Sequence, residues 1–298
     1  MNSVTKLGCG LVVLMMTISG AYSLDFWFDP RFEYDWTGPC LDGRLQSPIA
    51  ITKCGRTRLS YINLEFKNFE IPTNQITVTN AARQTVYDWD RKAVERSVIV
   101  RAPADRIAPF KANTEYILQN IHVHHGKNNR TGTLHSIDGE FYAMEMHLLF
   151  VSRQFDGNTA PAFAQLGNVL EIVVLFRSSN VPNYAWTQIN NLMLSTKLKE
   201  SEKVTGNVNI RFSDFLPRNS RYTLYHGSVP ASHCAESVTW IIYDNPMDFN
   251  TEDLGMRYFT YISDGKEIQV ERNTRATQAK NGRPVFEGSQ ERVGHYKR

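Results

Sequence analysis

Five of the chain's eight histidines lie between Leu118 and His147, and their spacing constrains the fold more than any other feature. Side chains alternate faces along an extended strand. In Leu118-Gln119-Asn120-Ile121-His122-Val123-His124-His125-Gly126, Ile121 and Val123 therefore take one face, and His122 and His124 the other. Two imidazoles two residues apart on one face can chelate a single ion. Glu145-Met146-His147-Leu148-Leu149 alternates in the same way and puts Glu145 and His147 on one face. Between them, Lys127 to Gly139 carries turn chemistry at Gly132 and Asp138-Gly139, as expected between neighbouring antiparallel strands. Three neutral imidazoles with a fourth position open form a catalytic zinc arrangement. A lone histidine is better read as a satisfied core residue, but His-x-His followed by Glu-x-His favours zinc.

The rest of the chain reads as one globular domain behind an export signal. Its 298 residues are 42% hydrophobic and 21% charged, enough for a sizeable core. A net charge of +3 gives no nucleic-acid or membrane-surface signature. Residues 1–23 read as a secretory signal, with Lys6, an apolar run from Leu11 to Ile18 too short to span a bilayer, and a small-x-small site at Ala21-Tyr22-Ser23. The mature protein is expected to be secreted, without membrane insertion. Export permits disulfides among Cys40, Cys54 and Cys234. Asn129-Arg130-Thr131 is the one glycosylation sequon, in the loop between the histidine segments. Ile76 to Tyr87, Leu170 to Phe176 and Val238 to Tyr243 read as strands. Helical periodicity is confined to pieces such as Tyr184 to Leu198 and a short helix through Tyr258 with Thr251 as its cap. The expected fold is mainly β (α+β), a large, mostly antiparallel twisted sheet with short peripheral helices. The domain is expected over 24–276, with 277–298 a polar tail.

These segments resemble the α-carbonic anhydrase family, which carries His-x-His, His-x-x-Asp-Gly and Glu-x-His in this order. Here they read His122-Val123-His124, His135-Ser136-Ile137-Asp138-Gly139 and Glu145-Met146-His147. The likeness extends from Gly38-Pro39-Cys40 and Gln46-Ser47-Pro48-Ile49 through Tyr225-His226-Gly227-Ser228 and Cys234-Ala235-Glu236-Ser237 to Asn273 and Arg275. The resemblance implies a Zn²⁺ cofactor on His122, His124 and His147. Asn120, Glu145 and the carbonyl of Asn273 would hold those rings. It implies reversible hydration of CO₂ to bicarbonate by zinc-bound hydroxide, in a pocket of Leu149, Ile172, Val229, Val238 and Trp240. It further implies a cis Ser47-Pro48 turn, a buried network of Ser47, His135 and Tyr225, and a Cys40–Cys234 disulfide. Cys40–Cys54 stays open as a competing pairing.

Three departures bear on the chemistry. The family's Gly-Ser-Leu-Thr-Thr-Pro-Pro-Cys is here Gly227-Ser228-Val229-Pro230-Ala231-Ser232-His233-Cys234. Pro230 thus replaces the threonine that accepts from zinc hydroxide and donates its amide to a bound anion; proline has neither group. Leu134 replaces the glutamate that orients that threonine. Arg83 replaces a proton-shuttling histidine and does not deprotonate near neutrality. Ser228, Ser232 and His233 are candidates to stand in for the lost polar group, and His125 replaces a tryptophan. The resemblance with these losses implies attenuated turnover. The alternative is an inactive extracellular binding module with structural zinc and an unidentified extracellular partner.

Overall fold

The computed structural model describes residues 36, 38–58, 62–81, 83–101, 113–218, 221–231, 233–250 and 254–289. The signal expected over 1–23 lies outside them, as do Ser232 and the cap expected at Thr251.

Ten strands make the main path of a single mixed sheet: β1 (Thr57–Arg58), β2 (Thr73–Ala81), β3 (Gln84–Asp88), β4 (Glu115–His125), β5 (Met144–Ser152), β6 (Val169–Ser178), β7 (Lys203–Ile210), β8 (Arg221–Gly227), β9 (Val238–Tyr243) and β10 (Phe286–Ser289). Their spatial order is β7-β2-β3-β4-β5-β6-β9-β8-β10-β1. The β6–β9 and β10–β1 pairs are parallel and the other pairs on this path antiparallel. The run from Ile76 to Tyr87 is a hairpin rather than one strand, broken at Arg83, which adopts a left-handed φ of 80°. The longest helix among the described residues, α1 (Tyr184–Leu194), begins where the Asn183 side chain accepts from the Trp186 amide. It lays Trp186, Ile189 and Met193 on the sheet.

The sheet separates two apolar clusters. One face carries Leu118, Ile121, Val123, Met146, Leu148, Phe150, Ile172 and Val174, covered by α1. The other carries Leu149, Val151, Val169, Val173, Leu175 and Trp240, together with Leu134 and Val229 from loops. The segment from Thr277 is not a loose tail as far as Ser289. Polarity alone suggested one, but Phe286–Ser289 pairs with both β8 and β1, and Gly288 packs against Tyr222 so closely that a Cβ would clash.

An ion cluster clamps the ends of β4 and β5 remote from the histidines. Glu115 accepts from Arg153 Nε at 2.7 Å, Ser97 Oγ at 2.6 Å and Lys67 Nζ at 3.1 Å. These donors, Arg153 foremost, lower its pKa to about 2. A depressed carboxylate contributes stability above its unfolded value of about 4.3 and loses it as pH falls through the folded value. Glu115→Gln should therefore lower the urea midpoint at pH 7, and the deficit should shrink toward zero by pH 2.

Candidate metal centre

One extra residue aims the histidines. The β4–β5 register shifts between Leu118 and Asn120, which bulges β4 at Gln119. Before the bulge, Tyr116 and Leu118 face the α1 side; after it, Ile121 and Val123 do. Unbroken alternation from Leu118 would have turned His122 and His124 into that apolar cluster. The bulge turns them to the opposite face, beside His147 and Glu145, their partners across the ladder. Arg91 Nη1 donates to the Gln119 carbonyl at 3.0 Å and satisfies the backbone at the bulge.

Each imidazole is fixed from behind. His122 Nδ1 donates to Asn120 Oδ1 at 2.9 Å and His124 Nδ1 to the Asn273 carbonyl at 2.7 Å. His147 Nε2 donates to Glu145 Oε1 at 2.8 Å. These acceptors set the tautomers. The lone pairs at Nε2 of His122, Nε2 of His124 and Nδ1 of His147 then face a common centre. One nitrogen from each ring lies within 4.8 Å of the others, and ring centroids are 4.6–5.5 Å apart. All three side chains are buried.

Asn273 is itself fully engaged. Its side chain accepts from the His125 amide and donates to the carbonyls of Val123 and Arg83. Glu145 takes four donors: the Leu134 and His135 amides at Oε2, and His135 Nδ1 and His147 Nε2 at Oε1. His135 Nε2 meets the Tyr225 hydroxyl at 2.7 Å, and Tyr225 donates to Ser47 Oγ. The Ser47-Pro48 bond is cis, and Cys40 and Cys234 are joined.

Sequence reasoning missed one residue of this centre. Glu171 projects from β6, and its Oε2 lies 2.7 Å from His147 Nδ1 and 3.8 Å from His122 Nε2. The side chain is buried. The apolar wall includes Leu149, Val229, Val238 and Trp240, whose ring centroid is 5.2 Å from that of His147. Ile172 does not belong to it: one residue out of phase with Glu171, it packs on the α1 face. A one-residue slip reverses a strand's faces, and the expected pocket position is filled by a carboxylate. The available signal was a single acidic residue in the run Val169-Leu170-Glu171-Ile172-Val173-Val174-Leu175-Phe176.

Burial, then the neighbouring rings, keep His122 well below the usual imidazole range and His124 down at about 3. His147 goes the other way. Burial opposes its charge, but Glu171 and Glu145 outweigh burial and raise it to about 9. Metal uptake would displace a proton from His147, because a ligating imidazole must be neutral.

The stand-ins for a lost polar group lie elsewhere. Ser228 Oγ accepts from the Ser47 amide and donates to the Val229 carbonyl. His233 is exposed. His125 is on the strand face opposite His124. Arg83 is buried, with its guanidinium 3.9 Å over the Tyr261 ring, and so serves packing. Leu134 packs in the apolar cluster while its amide serves Glu145, and Pro230 is buried.

The family model for eukaryotic-type carbonic anhydrase matches residues 32–289. The chain is similar to putative carbonic anhydrase 3 of Caenorhabditis elegans, 27% identical over 247 residues that cover 82% of this chain and 89% of the relative. It is likewise similar to carbonic anhydrase 12 of Homo sapiens, 26% identical over 272 residues, 87% of this chain and 72% of the relative. With carbonic anhydrase 1 of Monodelphis domestica the identity is 26% over 252 residues, 83% of this chain and 90% of the relative. A match that runs from ahead of the disulfide to the last strand of the sheet settles the ancestry of the histidine centre: this chain belongs to the eukaryotic-type carbonic anhydrase family.

Proposed function

We propose that this protein holds one zinc ion on His122, His124 and His147 and hydrates CO₂ reversibly to bicarbonate, at a rate well below that of a fully equipped family member. The observation that carries this reading is the convergence of three buried imidazole lone pairs, each with its tautomer fixed from behind. A tetrahedral His₃ donor set is the chemistry of a zinc site. When bound, zinc supplies the Lewis acidity that makes a water molecule nucleophilic near neutral pH. Asn120, Asn273 and Glu145 orient the rings, and Leu149, Val229, Val238 and Trp240 offer CO₂ an apolar wall.

Attenuation follows from side chains at the same face. Pro230 supplies no hydroxyl and no amide hydrogen, and loss of even one preorganised donor costs roughly 10²–10³ in rate. Leu134 supplies no acceptor to orient a replacement. Glu171 puts a carboxylate where an apolar wall would favour CO₂. We place the protein outside the cell, on the strength of the apolar leader, the Cys40–Cys234 disulfide and the exposed sequon at Asn129. No helix among the described residues is long and apolar enough to cross a membrane.

Stopped-flow CO₂ hydration by the mature protein, with zinc quantified in the same sample, tests the reading. The expected result is one zinc per chain and a rate above that of His147→Ala, which should lose metal and activity together. Stoichiometric zinc with a rate equal to that control would overturn the catalytic part.

A further inference from the structure

We propose that Glu171 is a fourth zinc ligand, closing the shell with a carboxylate where the family keeps a position open. This inference rests on the zinc reading above and changes what the centre does at rest. Four observations support it.

The first is placement. In β6 the α1 face takes Leu170, Ile172, Val174 and Phe176, and the histidine face takes Val169, Glu171, Val173 and Leu175. Glu171 pairs with Leu149 on β5 and with Trp240 on β9, so the carboxylate sits in the middle of the pocket row, one step diagonal from His147.

The second is distance. With bonds of about 2.0–2.2 Å, tetrahedral geometry sets neighbouring ligand atoms on zinc about 3.4 Å apart. Glu171 Oε2 stands 2.7 Å from His147 Nδ1 and 3.8 Å from His122 Nε2, which brackets that spacing.

The third is direction. Although 2.7 Å is a hydrogen-bonding distance, Glu171 Oε2 and His147 Nδ1 are both buried and neither makes an aligned hydrogen bond. With His147 Nε2 committed to Glu145, Nδ1 and Glu171 Oε2 are the two buried atoms here that no other group claims, and one ion can meet both. Buried polar atoms without aligned partners mark an ion site or a catalytic role.

The fourth is charge. A buried carboxylate needs a cation or a full set of donors. Among the described residues, the ion-pair partners of Glu171 are His122 and His147, the rings that must be neutral to bind metal. Once they are neutral, zinc is the cation left to balance it.

A closed shell also accounts for Pro230 and Leu134. A threonine that accepts from metal-bound hydroxide, and a glutamate that orients it, have no role while the fourth position holds a side chain. The three substitutions then form one change: an open catalytic centre becomes a capped one, and hydration waits on displacement of Glu171.

Cobalt(II) substitution reads this directly. Wild type, Glu171→Gln and Glu171→Val are loaded with cobalt, and the visible d–d spectrum is followed from pH 6 to 9 and on azide addition. Zinc affinity is measured in parallel by chelator competition. A capped centre gives a wild-type spectrum that is flat with pH and insensitive to azide. Both variants should acquire a pH- and azide-dependent spectrum and bind zinc at least about 10-fold more weakly. A wild-type spectrum that titrates near neutrality or responds to azide overturns the inference without any variant. So does unchanged zinc affinity in a folded Glu171→Gln protein. Failure of the wild type to take up zinc or cobalt would instead sink the zinc reading, and the fourth ligand with it.

Discussion

Glu145→Gln is expected to lower the unfolding free energy by about 3–5 kcal/mol, the usual cost of breaking a buried charged pair from one side. The side chain is fully buried and its two oxygens accept four hydrogen bonds, two from backbone amides and two from imidazoles. Glutamine offers one oxygen and one NH₂ group. Whichever way the amide turns, two of the four N–H donors face another donor. Burial raises the carboxyl's pKa, but His135 and His147 oppose it and leave the group well below the ordinary carboxylate range. Its contribution is therefore complete above the unfolded value of about 4.3 and is lost only in strong acid. The same substitution frees His147 to rotate and to change tautomer. Loss of such a supporting partner costs about 10–100-fold in metal affinity. Urea unfolding at pH 7 and chelator competition check the two effects, and both should move.

How far this centre was legible in the sequence depended on parity. His122/His124 and Glu145/His147 are two apart, so each pair shares a face whatever the register. That is why the metal triad is readable without coordinates. Which face they share is another matter, because it turns on the bulge at Gln119, and nothing in the local residues marks an inserted strand position. The same parity argument fails at β6. There the run is apolar on both faces, as expected of a strand buried on both sides, so its pattern carries no phase. Ile172 and Glu171 are equally compatible with it until the β5 register is known. Polar composition misjudged the last strand for a related reason: Phe286–Ser289 is short, and a glycine there reads as a break although it is needed to pass Tyr222. Arg83 was placed by resemblance at a catalytic position, but its burial over Tyr261 depends on a left-handed turn residue that only the hairpin register reveals.

The double variant Cys40→Ser, Cys234→Ser should separate stability from the metal site, which Glu145→Gln cannot do. The bridge links residues 194 apart. In the chain-entropy model, opening a loop of that length lowers the unfolding free energy by about 5 kcal/mol. Cys234 ends the loop that carries Val229 and Pro230, so loss of the bridge would be expected to loosen one wall of the pocket. The hydrogen bonds argue that it will not. Gln46 Nε2 donates to the Cys234 carbonyl, the Leu45 amide and Gln46 Nε2 both donate to Glu236 Oε1, and Ser47 and Ser228 exchange bonds from amide to hydroxyl in both directions. Within the loop, the Val229 amide donates to Ala235 and the Cys234 amide to Ala231. These contacts hold the loop on the Leu45–Ser47 segment in the folded state, while the covalent bond acts chiefly on the unfolded chain. The expected outcome is a urea midpoint far below that of the wild type, with zinc affinity within about threefold, the ordinary scatter of context effects. A matching fall in affinity would show that the loop carrying Val229 and Pro230 is positioned by the disulfide rather than by this hydrogen-bonded seam.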